Sequence, residues 1–172
     1  LVAPTIENGL TLEITSKVLS KPYIAMTLGL MSEFGIEYSW DNNIIKVEQQ
    51  NYLAKNIEVE NDWSAASFWY SFLALSKSGE IKIPNLYANS IQGDSVLSFI
   101  YSKLGIKTEF NADSIILSKT KNIAKEIELD LSNHPDLALP ITVTCCGIGI
   151  KAHLMGLKSL KVKESNRLEC IK

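Results

Sequence analysis

The sequence predicts an α/β protein built from a repeated unit of strand, helix, strand, helix, strand, strand, with helices turned inward and sheets outward. Three observations lead there. The run LMSEFGIEYSWDNNIIKVE (Leu30–Glu48) resembles FIYSKLGIKTEFNADSIILSK (Phe99–Lys119), and the match sets Gly35 against Gly105, 70 residues on. Self-similarity at a fixed spacing is the mark of a repeated architecture. Each copy also passes from an apolar helical face, through a Gly, to two alternating strands around a polar turn. Finally, the stretch Asp62–Ser76 is apolar on most sides, which fits a helix enclosed by sheets.

Taken in order, the elements justify themselves locally. Ser20, ahead of KPYIAMTLGLM, and Ser90, at the same offset ahead of IQGDSVLSFIY, are polar residues placed to start helices. Gly35 and Gly105 suit the left-handed position that ends a helix. Asp41–Asn43 and Asn111–Asp113 then turn one strand into the next as hairpins. A second helix recurs as NDWSAASFWYSFLALSKSG (Asn61–Gly79) and NHPDLALPITVTCCGIG (Asn133–Gly149), each with an Asp near its start and a Gly at its end. A short strand and a polar junction follow each: IKIPNLYANSIQGDS in the first case, HLMGLKSLKVKESNR in the second. Trp63, Phe68 and Trp69 read as core or packing residues, and His153 as structural. The chain of 172 residues therefore holds the end of one unit, a complete second unit and the start of a third, about two and a half units.

Composition narrows the function classes. A net charge of -2 and the lack of a long basic run argue against broad electrostatic binding to nucleic acid or an anionic membrane surface. The apolar stretch LALPITVTCCGIGI is too short and too interrupted to span a bilayer. Cys145, Cys146 and Cys170 are odd in number and lack metal-ligand spacing, so neither a disulfide framework nor a zinc site is expected. Cys145 and Cys146 read as small core residues in a reducing, cytoplasmic compartment. The chain begins at Leu1 and stops inside what reads as a helix, which suggests an internal piece of a longer protein.

One short stretch bears on chemistry. In VKESNR (Val162–Arg167) an apolar, strand-like run gives way to a helix exactly where Lys163, Glu164 and Arg167 gather. Mixed charge at helical spacing is commonly a solvated face. A strand-to-helix junction also exposes free backbone N–H groups and the positive end of a helix dipole, so two added cations make a site for a small anion.

SKPYI with Met26 and Thr27, NDWSAAS, SIQGD, HPDLA and VKESNR are similar, in that order along nearly the whole chain, to successive motifs of the 5-enolpyruvylshikimate-3-phosphate synthase family. The resemblance implies a two-lobed alpha-beta prism, an inside-out α/β barrel of six βαβαββ units with the active site between the lobes. On that plan residues 1–60 end one lobe and residues 61–172 form part of the second. It implies transfer of the enolpyruvyl group of phosphoenolpyruvate to the 5-hydroxyl of shikimate 3-phosphate, with release of phosphate, on the route to chorismate and the aromatic amino acids. No metal or organic cofactor, nucleic acid or membrane partner is implied, and the full-length enzyme is expected to be a cytoplasmic monomer.

Residue by residue, the resemblance gives Lys163 a contact to shikimate phosphate and Arg167 a hold on phosphoenolpyruvate. Glu164 falls near the methylene carbon, where a proton must be delivered and later removed. Asp136 matches the Asp that accepts a proton from, or aligns, the shikimate hydroxyl, although His134-Pro135-Asp136 also reads as a helix cap. Ser20 matches a serine that bonds the substrate phosphate at a helix start, where it also reads as a plain cap, and Tyr23, one turn on, is placed as a substrate contact against the ring, with core or lobe packing as its other reading. The pattern is departed from at Asn166, where the family has Asp, at Ser159, where it often has Asn, and at Asn61, where it has Gly. The alternatives are UDP-N-acetylglucosamine enolpyruvyl transferase, which shares architecture and reaction, and a non-catalytic binding or structural module of the same fold.

Overall fold

The computed structural model describes residues 1–171, and the chain divides into two compact units, the first Leu1–Val59 and the second beginning at Glu60. The first holds β1 (Leu10–Glu13), α1 (Lys21–Glu33), β2 (Ser39–Asp41) and β3 (Ile44–Val47). Its strands form an antiparallel sheet in the order β1-β3-β2, with Leu10 opposite Val47 and Trp40 opposite Ile45. The alternation of β3 turns Ile45 and Val47 inward, where they meet Leu28, Met31 and Ile36 in a small core. Gly35 closes α1 at φ +83°, and the Ile36 amide returns to the Met31 carbonyl at 3.0 Å. An L-residue resists that backbone angle, so Gly is the residue that lets the chain leave the helix there.

The second unit runs α2 (Trp63–Leu75), β4 (Glu80–Pro84), α3 (Leu97–Ser102), β5 (Leu104–Phe110), β6 (Ser114–Ile123), β7 (Glu126–Asp130), α4 (Ala138–Ile148), β8 (Lys151–Met155) and α5 (Arg167–Ile171). Its three-stranded sheet has the order β4-β6-β5. In both copies, then, the strand that precedes the helix pairs with the second strand of the hairpin that follows it. β7 and β8 form a parallel pair joined through α4, the βαβ crossover that parallel strands require. Asp62 caps α2 by accepting from the amides of Ser64 at 2.7 Å and Ala65 at 3.2 Å. Trp63, Tyr70, Leu97, Tyr101, Leu117, Ile141 and Leu160 are fully buried in one core. Such burial is worth roughly 1.5–3 kcal/mol for each large apolar side chain.

Several sequence expectations are corrected. Ser20 does occupy the position before α1, but at φ 53°, ψ 39° it is left-handed and makes no side-chain cap bond. Ser90 is not a helix cap either: its hydroxyl goes to the Glu60 carboxylate at 2.5 Å, and Gln92 precedes the 3-10 turn Gly93–Val96. Gly105, at φ +84°, lies just inside β5 rather than ending a helix, because the register there shifts between Leu104 and Ile106 and a positive φ supports the bulge. No strand forms over residues 51–62, so the complete copy lacks its first strand. α2 is enclosed on one side only: Trp63 is core, while Phe68 is 67% and Trp69 53% exposed. Cys145 is buried, but Cys146, on the outer side of α4, is exposed. Among the described residues no helix is long and apolar enough to cross a membrane.

Candidate active site

Asp136 is placed by its neighbours. After β7 the Leu131 amide donates to Met155 at 2.9 Å, His134 closes back on the Leu131 carbonyl at 3.0 Å, and the 3-10 turn Pro135–Leu137 begins. Pro135 and Leu137 are buried on either side of Asp136, which leaves its carboxylate facing outward at the foot of α4. The cap reading does not hold: His134 and Leu137 are the cap residues of these two helix starts, and neither caps through its side chain.

The opposite wall comes from the segment after β8. Gly156 turns at φ +77°, where an added Cβ would collide with Asp130 Oδ1 and Ser132 Oγ, so the chain is pressed against the end of β7. Leu157–Val162 is then a 3-10 helix and not a strand. Leu157 and Leu160, three residues apart, both pack on the core, which matches the three-residue period of that helix. With Leu160 fully buried, Lys163 leaves in extended form and Arg167 opens α5. α5 spans only Arg167–Ile171, so the expected helix-dipole site falls away. Any attraction for an anion here rests on the Lys163 and Arg167 side chains.

These side chains meet. Lys163 Nζ lies 3.2 Å from Asp136 Oδ1, and Arg167 Nη1 lies 2.8 Å from the same oxygen. Arg167 also grips Glu164 Oε1 through Nε at 2.9 Å and Nη2 at 2.7 Å. Asp136, Lys163 and Arg167 are partly shielded, whereas the Glu164 side chain is 68% exposed. The Glu164 carboxyl is held below its ordinary value, first by its own backbone N–H and then by the Arg167 guanidinium. Arg167 is pushed above its ordinary value, chiefly by the hydrogen bond to Glu164. Two cations and two carboxylates thus neutralise one another, and an arriving anion must exchange with a carboxylate.

Ser20 and Tyr23 belong to the first unit. They stand one turn apart at the start of α1, with the Tyr23 amide donating to the Ser20 carbonyl at 3.0 Å. A left-handed non-Gly residue is uncommon, and such strained positions concentrate at sites of function. Sequence reasoning gave no role to Glu60, Ser64, Gln92 or Asp94, although each lies in or beside a quoted motif. Glu60 accepts from the Trp63 indole at 2.9 Å, the Tyr87 amide at 3.0 Å, the Ser90 hydroxyl and the Gln92 side chain at 3.1 Å. Ser64 donates to the buried Asp94 at 2.6 Å. Periodicity cannot reveal contacts such as Ser64 to Asp94 or Ser90 to Glu60, whose partners are 30 residues apart in sequence. Among the described residues no group of His, Cys, Asp and Glu is arranged to hold a metal.

Comparison with known proteins agrees with this architecture. The model of the family described as EPSP synthase (3-phosphoshikimate 1-carboxyvinyltransferase) matches residues 1–172. The 3-phosphoshikimate 1-carboxyvinyltransferase of Bacteroides fragilis (strain ATCC 25285) is 40% identical over 174 residues, covering 100% of this chain and 42% of its own length. That of Histophilus somni (strain 2336) is 31% identical over 174 residues, covering 99% of this chain and 39% of its own length. The solved EPSP synthase of Acinetobacter baumannii has the same fold at a TM-score of 0.70 and 16% identity, covering 98% of this chain and 39% of that one. The chain spans about two fifths of the length of the curated relatives it matches. With every residue inside the matched span, the chain belongs to the EPSP synthase family.

Proposed function

We propose that this chain carries part of the active site of an enolpyruvyl transferase, which moves the enolpyruvyl group of phosphoenolpyruvate to the 5-hydroxyl of shikimate 3-phosphate and releases phosphate. The reading rests on one arrangement above all: Asp136 bridges Lys163 and Arg167 while Arg167 holds Glu164 on its other side. Both substrates are polyanions, and an Arg that offers several donors in a fixed plane suits a carboxylate or phosphate.

The reaction needs the 5-hydroxyl oxygen to bond to C2 of phosphoenolpyruvate while C3 gains a proton. The C2–O bond to phosphate then breaks and C3 loses a proton. Asp136 would accept or align the hydroxyl proton, and Lys163 would hold the shikimate 3-phosphate. With its pKa depressed, Glu164 is an ionised carboxylate that has no proton to give and is a weak base for taking one. Capture of phosphoenolpyruvate by Arg167 would take that cation away from Glu164 and let its pKa rise. Substrate binding would thereby arm the group that exchanges the proton at C3. For Ser20 and Tyr23 a role in holding shikimate 3-phosphate is supported by the SKPYI motif match alone. The same reading includes a cytoplasmic setting, supported by three free cysteines, and a monomeric full-length enzyme.

The test is a calorimetric titration of the chain with shikimate 3-phosphate. Binding that Lys163→Ala weakens about tenfold, as loss of a charge-assisted bond requires, supports the reading. No binding by the unmodified chain, or equal binding by the variant, overturns it.

A further inference from the structure

Behind the cluster lies a buried carboxylate that the proposed chemistry does not use. The Asp94 side chain is 2% exposed, sits in the 3-10 turn Gly93–Val96 and accepts from Ser64 at the start of α2. Its other oxygen, Oδ1, lies 3.6 Å from Nδ1 of His134, whose side chain is 19% exposed. That separation is longer than a hydrogen bond but within reach of charge attraction. His134 opens the turn that carries Asp136, two residues on, and its backbone ties the turn at both ends, to Leu131 at 3.0 Å and to Leu137 at 3.2 Å. Ser64 thus bonds Asp94, Asp94 lies 3.6 Å from His134, and His134 is tied through two residues of backbone to Asp136, which pairs with Lys163 and Arg167.

A carboxylate taken out of water is costly unless donors compensate it. His134 Nδ1 faces Asp94 Oδ1 at 3.6 Å, short of a hydrogen bond, and the electrostatic attraction between them acts on one side chain of a short, tightly bonded turn. We propose that His134, anchored by buried Asp94, is a positioning residue that sets the Asp136 carboxylate against Lys163 and Arg167. The inference rests on the proposed role of Asp136, and it assigns a task to the NDWSAAS and SIQGD motifs, which supply Ser64 and Asp94: they brace the site from behind and need not touch a ligand.

The sequence supplies a clean probe, since Arg167 is its sole arginine and gives one side-chain Nε–H signal in nitrogen-15 NMR. Asp136→Ala defines the spectrum of a guanidinium released from the carboxylate. We expect His134→Ala to move the Arg167 signal to that reference and to speed rotation about its Cζ–Nε bond about tenfold, the scale of one lost charge-assisted bond. His134→Asn, whose amide nitrogen reaches the place of Nδ1, should restore the original signal. A merely structural loss would lower the melting temperature without this rescue. Should His134→Ala fail to fold, Asp94→Asn decides, because it keeps the shape and the Ser64 contact while removing the charge. An Arg167 signal unmoved in the folded variant, or no recovery in His134→Asn, overturns the proposal. Shikimate 3-phosphate is titrated into the same proteins. If the unmodified chain does not bind it, the functional reading fails while the Arg167 signal still decides the role of His134.

Discussion

The guanidinium of Arg167 donates to the carboxylate of Asp136 at 2.8 Å across 31 residues of sequence. This contact joins the segment after β7 to the segment after β8, two strands that lie parallel and in register from Glu126 opposite Lys151 to Asp130 opposite Met155. Parallel pairing puts both strand ends on the same side, so loops distant in sequence open next to each other. Ligands gather at that edge in many α/β proteins.

In an intact enzyme bearing these residues, Lys163→Ala and Glu164→Gln should fail differently. On the proposed function Lys163 would offer a bond in both ground and transition states, so its loss should raise KM with a smaller fall in kcat. Glu164→Gln keeps the shape but cannot exchange a proton, so kcat falls about 10²- to 10⁴-fold with little change in KM. Steady-state kinetics with each substrate varied in turn decides this. Near-normal kcat in Glu164→Gln would return VKESNR to the status of a mixed-charge surface.

The 172-residue chain on its own should show no turnover. Catalysis of this kind depends on surrounding two anions with preorganised charge, and the chain spans only 42% of a relative's length. Phosphate release above a no-protein control, with both substrates present, would refute the expectation.

Glu164 should titrate below the ordinary carboxylate range, because its own amide and Arg167 favour the charged form. The sign follows from linkage. A depressed folded-state pKa contributes stability above the unfolded-state value, and that contribution is lost as pH falls through the folded-state value. Carbon-13 NMR of the Glu164 carboxyl should show its midpoint rising in Arg167→Ala. An unchanged midpoint would mean that the ion pair is not formed in solution.

Gly156→Ala should destabilise the second unit by about 2 kcal/mol or more, the cost of a Cβ forced into a left-handed turn against fixed polar atoms. Those atoms are Asp130 Oδ1 and Ser132 Oγ at the end of β7. Chemical denaturation measures the effect, and a loss below about 0.5 kcal/mol, the range of ordinary surface substitutions, counts against the packing argument. Because Gly156 starts the segment that ends at Lys163, the variant should also loosen the contacts of Asp136.

By itself the sequence determined the α/β class, the repeat that sets Gly35 against Gly105, both hairpins, the Asp62 cap and the motifs that carry the family resemblance. These are legible because they are local: a turn residue, a cap or a hydrophobic period acts through neighbours a few positions away. Asp136, Lys163, Glu164 and Arg167 were named from motif matches, but their meeting depends on a parallel strand pair and on the buried anchors Leu137 and Leu160. Only the tertiary structure decided that LKSLKV is a 3-10 helix pinned to the core, that Ser20 is left-handed rather than a bonded cap, and that Gly105 serves a bulge. It alone brought Asp94 beside His134. For the 3-10 helix, the bulge and the buried pair the physical reason is shared: each depends on which distant groups fill the space around a segment, and packing and buried charge override the local preference of the backbone.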